Sequence, residues 1–242
     1  SAILSRDEFV AMCRASTDYL FERIVNDKDG VSWVLEKTPV HVRFTDIIQE
    51  LYPDARFIHM VRDPRSVVAS LKAASRRWGK TWKNMSVADY ANLWVESVSL
   101  GEKLVSDNPN AIRLRYEELR IDPVGGLFQL YEWLGITADR AFCEASVEAC
   151  ELARLKKRDE STSFGHKPWS IEAEPSDFFR KGEIGGWKKE LGVLEVVAIE
   201  SMGADVMRRH GYNQLQTTPF LRRIAAFSLS CRNIKSLKRV FS

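Results

Sequence analysis

The chain is poor in the features that would place it at once. Its 242 residues include four cysteines, Cys13, Cys143, Cys150 and Cys231, none of them in a CxxC pair. Cys143 and Cys150 are seven apart in a helical stretch, about 10 Å along the axis, which is too far for a disulfide. Scattered, unpaired cysteines fit a reducing compartment, so a cytoplasmic location is expected. The four histidines show no HExxH or comparable ligand spacing, and no metal is expected. No run of 18 apolar residues occurs, which excludes a spanning helix. The opening SAILSRDEFV has neither the basic nor the apolar region of a secretory signal, so no leader is expected. An excess of one charge is missing too, with 36 basic and 33 acidic groups giving a net of +3. Apolar residues at 45% and charged residues at 29% exclude a disordered or collagen-like chain and describe a globular one with ample core.

What charge asymmetry there is sits at one end. Residues 219–242 hold six basic groups (Arg222, Arg223, Arg232, Lys235, Lys238, Arg239) and no acidic one. The first 218 residues keep 30 basic and 33 acidic groups, so no nucleic-acid partner is expected. In the tail, Phe220, Ile224, Phe227, Cys231, Ile234, Leu237 and Phe241 recur at three- and four-residue spacing. This reads as a basic amphipathic helix over 219–242. It is expected to dock on the body, with peripheral contact to an anionic membrane surface as the alternative.

Along the body, strands alternate with helices. Ser5 and Glu8 form a capping box that opens the first helix. Ser32–Glu36 reads as a short strand, Thr45–Tyr52 as a helix closed by Pro53, and Arg56–Val61 as a second strand. Asp63-Pro64 is an N-cap with proline at the first helical position, starting a helix to about Arg77. Ser86 caps a long helix to about Asp107, and Ala111–Tyr116 is a third strand. Helices follow near 122–134 and 138–152, then a polar loop over 156–186 and a last helix from Val193 to His210. Alternation of this kind predicts an α/β fold with a largely parallel sheet.

Two motifs carry chemistry. In IHMVRDPRSVVASL, Arg62 stands at the carboxyl end of a buried strand, the edge at which open α/β sheets bind ligands. The next helix begins at Pro64, and Ser70 lies two turns up it. A guanidinium and a hydroxyl beside a helix start suit a phosphate. The alternative is a strand-end arginine paired with a nearby carboxylate. In RKGEIGGWKKEL, Arg180 and Lys181 sit beside Gly182, Gly185 and Gly186, with Trp187 as an apolar anchor. Glycines let backbone N–H groups approach an anion closely, and the cations supply charge.

With these residues in view, the chain resembles the sulfotransferases that use 3′-phosphoadenosine 5′-phosphosulfate (PAPS). Arg62 and Ser70 are similar to the family's strand-end 3′-phosphate motif, and Arg180 to Lys188 to its R-K-G-x-x-G-x-W-K segment. Tyr116-Glu117-Glu118-Leu119 resembles the Tyr-Glu-Asp segment near the adenine, and EKTP at Glu36 to Pro39 the lysine-bearing strand end. All four stand in the family's order across about 30–212.

The resemblance implies a P-loop-containing nucleotide hydrolase-like sulfotransferase fold, with a parallel sheet flanked by helices. It also implies transfer of a sulfuryl group from PAPS to a hydroxyl or amine of a small-molecule or glycan acceptor. Arg62, Ser70, Arg180, Lys181 and Gly182 are implied as 3′-phosphate ligands and Tyr116 as an adenine neighbour. Lys37 is implied to neutralise charge on the transferring group, and His41, four residues on, to act as the base. A strand-end surface lysine and a histidine with a structural hydrogen bond are the plain alternatives for these two. His59 is expected to be a core histidine, and His166 and His210 to lie at the surface.

One family feature is absent from these residues. No glycine-rich loop of the G-x-x-R-S-G-T-T kind, which grips the 5′-phosphosulfate, occurs in the sequence. The expectation is therefore a sulfotransferase domain over 1–218 that lacks its first strand. An upstream segment or a partner would complete the sheet, and little turnover is expected from these residues alone. A non-catalytic nucleotide-binding or interaction module of the same fold is the alternative function. A kinase-like P-loop transferase is disfavoured by the missing Walker lysine. Acceptor contacts are expected from 76–88 and 157–178, where Trp78, Trp82 and Trp169 lie.

Overall fold

The computed structural model describes residues 3–25, 30–77, 85–151 and 182–215. The chain forms two compact units, Ser1–His59 with Ser97–Arg113 and Met60–Glu96 with Leu114–Ser242.

In the first unit, helix α1 (Arg6–Val25) starts at the capping box expected for it. The Ser5 N–H and hydroxyl both donate to the Glu8 carboxylate, at 2.7 and 2.8 Å, and the Glu8 N–H donates back to Ser5 Oγ at 3.3 Å. Helix α1 packs on α2 (Thr45–Leu51). Arg6 grips Glu50 through two 2.8 Å bonds, and the Tyr52 hydroxyl donates to Asp18 at 2.8 Å.

Ser32–Glu36 is not a strand. It runs as irregular chain into a 3-10 turn, Pro39–Arg43. Valine, tryptophan and leucine favour a pleated surface, but a ladder needs a neighbour. Among the described residues the only ladder joins β1 (Phe57–Val61) to β2 (Ala111–Arg115). These two strands form a small parallel sheet, and just before β2 the Asn110 carbonyl accepts the Phe57 N–H at 2.8 Å. His59 of β1 lies against Gly101 of α4 (Val87–Asp107), where an added Cβ would come within 2.2 Å of the imidazole. Glycine is what allows that approach.

In the second unit, α3 (Pro64–Arg77) begins as expected, with Asp63 Oδ1 accepting the Arg65 N–H at 2.9 Å. Ser86 and Asp89 form a second capping box at the start of α4. Tyr116 does not end the strand but opens a short helix, α5 (Tyr116–Ile121), which packs on α6 (Pro123–Leu134), and α6 in turn packs on α7 (Arg140–Ala149). Helix α3 packs on the 3-10 turn Gly186–Lys189 and on α8 (Val193–Met202). The core here joins Val68, Tyr90, Ala91 and Ile199 in one cluster and Ala69, Trp187 and Val196 in another.

The long last helix expected from Val193 to His210 breaks at Gly203 into α8 and α9 (Ala204–Arg209). Gly203 meets the Trp94 ring and the Ile199 carbonyl so closely that a Cβ would stand 3.3 and 3.2 Å from them. That approach fixes the break. It also turns Val206, Met207 and His210 inward, so His210 is buried rather than at the surface. His166, the loop residues 156–181, Trp78, Trp82, Trp169 and the 219–242 tail lie outside the described residues.

One buried charge ties this unit together. The Arg65 guanidinium donates to Asp63 through Nε (2.9 Å) and Nη2 (2.8 Å). Its Nη1 donates to Glu200 (2.7 Å) and to the Asn213 carbonyl (3.0 Å). One face lies 4.3 Å from the centre of the Trp187 ring. Burial pulls the arginine's pKa down, but the Asp63 and Glu200 carboxylates outweigh it and hold it above its ordinary value. Glu200 also accepts the Leu215 N–H at 3.0 Å. Glu200→Ala is therefore expected to lower stability by about 3–5 kcal/mol, because it breaks a buried ion pair and leaves Arg65 Nη1 without its carboxylate. Urea unfolding of Glu200→Ala, Arg65→Met and the Arg65→Met/Glu200→Leu pair checks this. The pair is expected to lose less than the two single changes together.

Candidate functional site

The end of β1 is fixed from two sides. Trp94 Nε1 donates to the Arg62 carbonyl at 3.0 Å, and the Asp63 N–H donates to Glu117 Oε1 at 3.0 Å. Held this way, Arg62 lays its guanidinium over the Tyr116 ring, 4.2 Å from the centroid. The Tyr116 hydroxyl donates to the Gly182 carbonyl at 3.3 Å, joining residues 66 apart in sequence. Gly182 has φ of 61° and Gly185 of 76°, conformations that favour glycine, so the glycine spacing of this motif has a backbone reason. Trp187 is buried under Arg65, the anchor the sequence suggested.

Arg62, Tyr116 and Gly182, expected from three separate motifs, thus meet at one place. Ser70 lies on α3, half-buried. Arg180 and Lys181 lie outside the described residues, although Lys181 is bonded to Gly182. Arg62 Nε is buried and has no hydrogen-bond partner among the described residues. Buried N–H groups are nearly always paired, and a charged guanidinium most favourably with an anionic oxygen. A flat cation over an aromatic ring with an unspent donor fits a phosphate beside a nucleoside.

Lys37 and His41 belong to the first unit. Lys37 is exposed. His41 stands in the 3-10 turn with Nδ1 2.7 Å from Glu36 Oε2. Among the described residues no group of three His, Cys, Asp or Glu side chains is arranged to hold a metal ion, and no helix is long and apolar enough to cross a membrane.

Several residues that shape the site were not singled out for the roles they play. Glu117 bridges the Asp63 N–H and, at 2.8 Å, the Tyr212 hydroxyl. Arg115 stacks over the Tyr212 ring at 4.9 Å. Arg65 is another of these residues. The available signal was Glu200, a lone acid after the apolar run Val196–Ile199, which a buried helix retains only with a partner.

A model described as the sulfotransferase family matches residues 2–140. The omega-hydroxy-beta-dihydromenaquinone-9 sulfotransferase Stf3 of Mycobacterium bovis is 36% identical over 113 residues, covering 43% of this chain and 29% of that protein. Cytosolic sulfotransferase 1 of Arabidopsis thaliana is 26% identical over 110 residues, 43% of this chain and 32% of that protein. The matched stretch thus spans about a third of these curated relatives. The crystal structure of mouse sulfotransferase SULT7A1 complexed with PAP shares the fold, with a TM-score of 0.55 at 19% identity over 68% of this chain and 61% of that one.

Tyr212 gives this region a pH signature. Burial raises its pKa, and the Glu117 carboxylate raises it further. A folded value above the unfolded one, about 10, gives stability that is complete below pH 10 and is lost as pH climbs from there toward the folded value. Tyr212→Phe lacks this contribution. Its stability deficit against the wild type, about 1–3 kcal/mol at neutral pH from the stranded Glu117 oxygen, is expected to shrink above pH 10. Chemical denaturation at pH 7, 9 and 10.5 measures the gap.

Proposed function

The chain belongs to the sulfotransferase family, and we propose that it forms the 3′-phosphate-binding and acceptor-activating part of an enzyme that moves a sulfuryl group from PAPS to an acceptor hydroxyl or amine. One observation carries this reading. Arg62, Tyr116 and Gly182, distant in sequence, meet with a buried guanidinium donor unspent among the described residues. PAPS brings the activated sulfuryl group; the protein's part is to hold, orient and neutralise. In this reading Arg62, Ser70, Arg180, Lys181 and Gly182 bind the 3′-phosphate, and Tyr116 lies beside the adenine. Arginines suit that task because the planar fork pairs two phosphate oxygens at once.

For the reacting end, the family resemblance assigns the roles. Lys37 neutralises charge that develops on the transferring group and the departing phosphate. His41 accepts the acceptor's proton as the new bond to sulfur forms. The acceptor is a small molecule or glycan. A hydroxyl is favoured by the hydroxylated substrate in the name of the mycobacterial relative. The reading places the catalytic domain over 1–218 in the cytoplasm, a location supported by the free thiols of Cys13, Cys143 and Cys150.

Adenosine 3′,5′-bisphosphate is expected to raise the melting temperature by several degrees at a hundredfold excess over its Kd, equivalent to about 2.7 kcal/mol. AMP, lacking the 3′-phosphate, is expected to do markedly less, and Arg62→Ala to erase the difference. Differential scanning fluorimetry with both nucleotides decides it. Equal shifts, or a difference that survives Arg62→Ala, overturn the reading.

A further inference from the structure

The segment Glu36-Lys37-Thr38-Pro39-Val40-His41 holds an arrangement beyond the lysine and histidine already assigned. Pro39 opens the 3-10 turn, the His41 N–H donates to the Thr38 carbonyl at 3.0 Å, and the Phe44 N–H to the His41 carbonyl at 2.9 Å. The backbone carrying His41 is therefore fixed locally. The Glu36 carboxylate is held at both oxygens. The Thr38 hydroxyl donates to Oε1 at 2.5 Å, and His41 Nδ1 is 2.7 Å from Oε2.

A carboxylate oxygen only accepts, so a ring nitrogen this close to it must carry the proton. That holds whether the imidazole is neutral or charged. In either state Nδ1 keeps its hydrogen, and the proton that comes and goes belongs to Nε2. The ring is 44% exposed and Glu36 41% exposed, so the pair is open to a reactant rather than sealed in a core.

We infer that Glu36 is a positioning residue, which fixes His41 as the Nδ1–H tautomer and leaves Nε2 as the lone pair that accepts a proton. The inference rests on the reading of His41 as the base, and it adds what that base needs: a defined tautomer and a defined ring orientation. Thr38 completes the device by holding the carboxylate in place.

The test reads the ring directly and needs no turnover. Long-range nitrogen–proton NMR spectra of the full chain at pH 8 report which ring nitrogen is protonated, and His41→Gln identifies the His41 signals. The wild type is expected to show Nδ1 protonated and Nε2 bare. Glu36→Leu is expected to give a mixture of tautomers, and Glu36→Gln, which keeps an acceptor oxygen, to retain more of the Nδ1–H form. In parallel, carbethoxylation of His41 by diethyl pyrocarbonate, followed by peptide mass spectrometry, is expected to slow about two- to fivefold in Glu36→Leu as the bare Nε2 population falls. An Nε2–H form dominating in the wild type, or a tautomer balance unmoved by Glu36→Leu, overturns the inference. The nucleotide melting shifts depend on Arg62 and not on this pair. Loss of the bisphosphate effect with the ring behaving as described therefore refutes the donor reading and leaves the Glu36–His41 assignment in place.

Discussion

A guanidinium removed from water must find its hydrogen bonds in the protein or leave the fold unstable, and each of the three guanidinium nitrogens of Arg65 finds a partner. Nε and Nη2 donate to Asp63, Nη1 donates to Glu200 and to the Asn213 carbonyl, and the face lies on Trp187. Each partner belongs to a different piece of the second unit: the start of α3, the end of α8, the chain beyond α9, and the 3-10 turn after Gly185. The contact therefore sets where those pieces can lie. It also explains a buried acid in α8 and a tryptophan buried in a polar, glycine-rich loop. Buried ion clusters of this kind add little net stability over an apolar replacement, but they punish any arrangement that leaves a charge alone.

The site follows from that frame. Arg65 fixes Trp187 five residues beyond Gly182, and Tyr116 fixes Gly182 itself. Arg62, three residues before Arg65, lies over Tyr116, and the Trp94 and Glu117 hydrogen bonds pin the peptide that joins it to Asp63. Two arginines three residues apart thus take opposite roles. Arg65 spends its donors inside the protein, whereas Arg62 keeps a buried donor unspent among the described residues. The difference arises from the partners: Asp63 and Glu200 converge on one, while the other is given an aromatic face, which attracts a cation without consuming its N–H groups.

The first unit uses a different economy of contacts. Helix α1 is joined to α2 by the Arg6–Glu50 pair and the Tyr52–Asp18 bond rather than by deep burial, and none of its side chains is buried. The Glu36–His41 pair is equally local. It is held by a proline-started turn and a threonine hydroxyl, so its geometry depends on six consecutive residues and little else.

What the sequence determined by itself is what near neighbours decide. The Ser5–Glu8 capping box, the Ser86 cap and the Asp63-Pro64 helix start stand where spacing and residue type put them, because each closes a hydrogen bond within a few residues. The tertiary structure alone decided three other things: that Ser32–Glu36 finds no strand to pair with among the described residues, that Gly203 breaks the last helix against Trp94, and that Arg65 meets Glu200 across 135 residues. A β-prone run, a helical glycine and a lone acid each have several acceptable fates locally. Only the approach of a distant segment, or its absence, selects one, since the energies that decide are those of burial and pairing between parts of the chain that sequence order leaves apart.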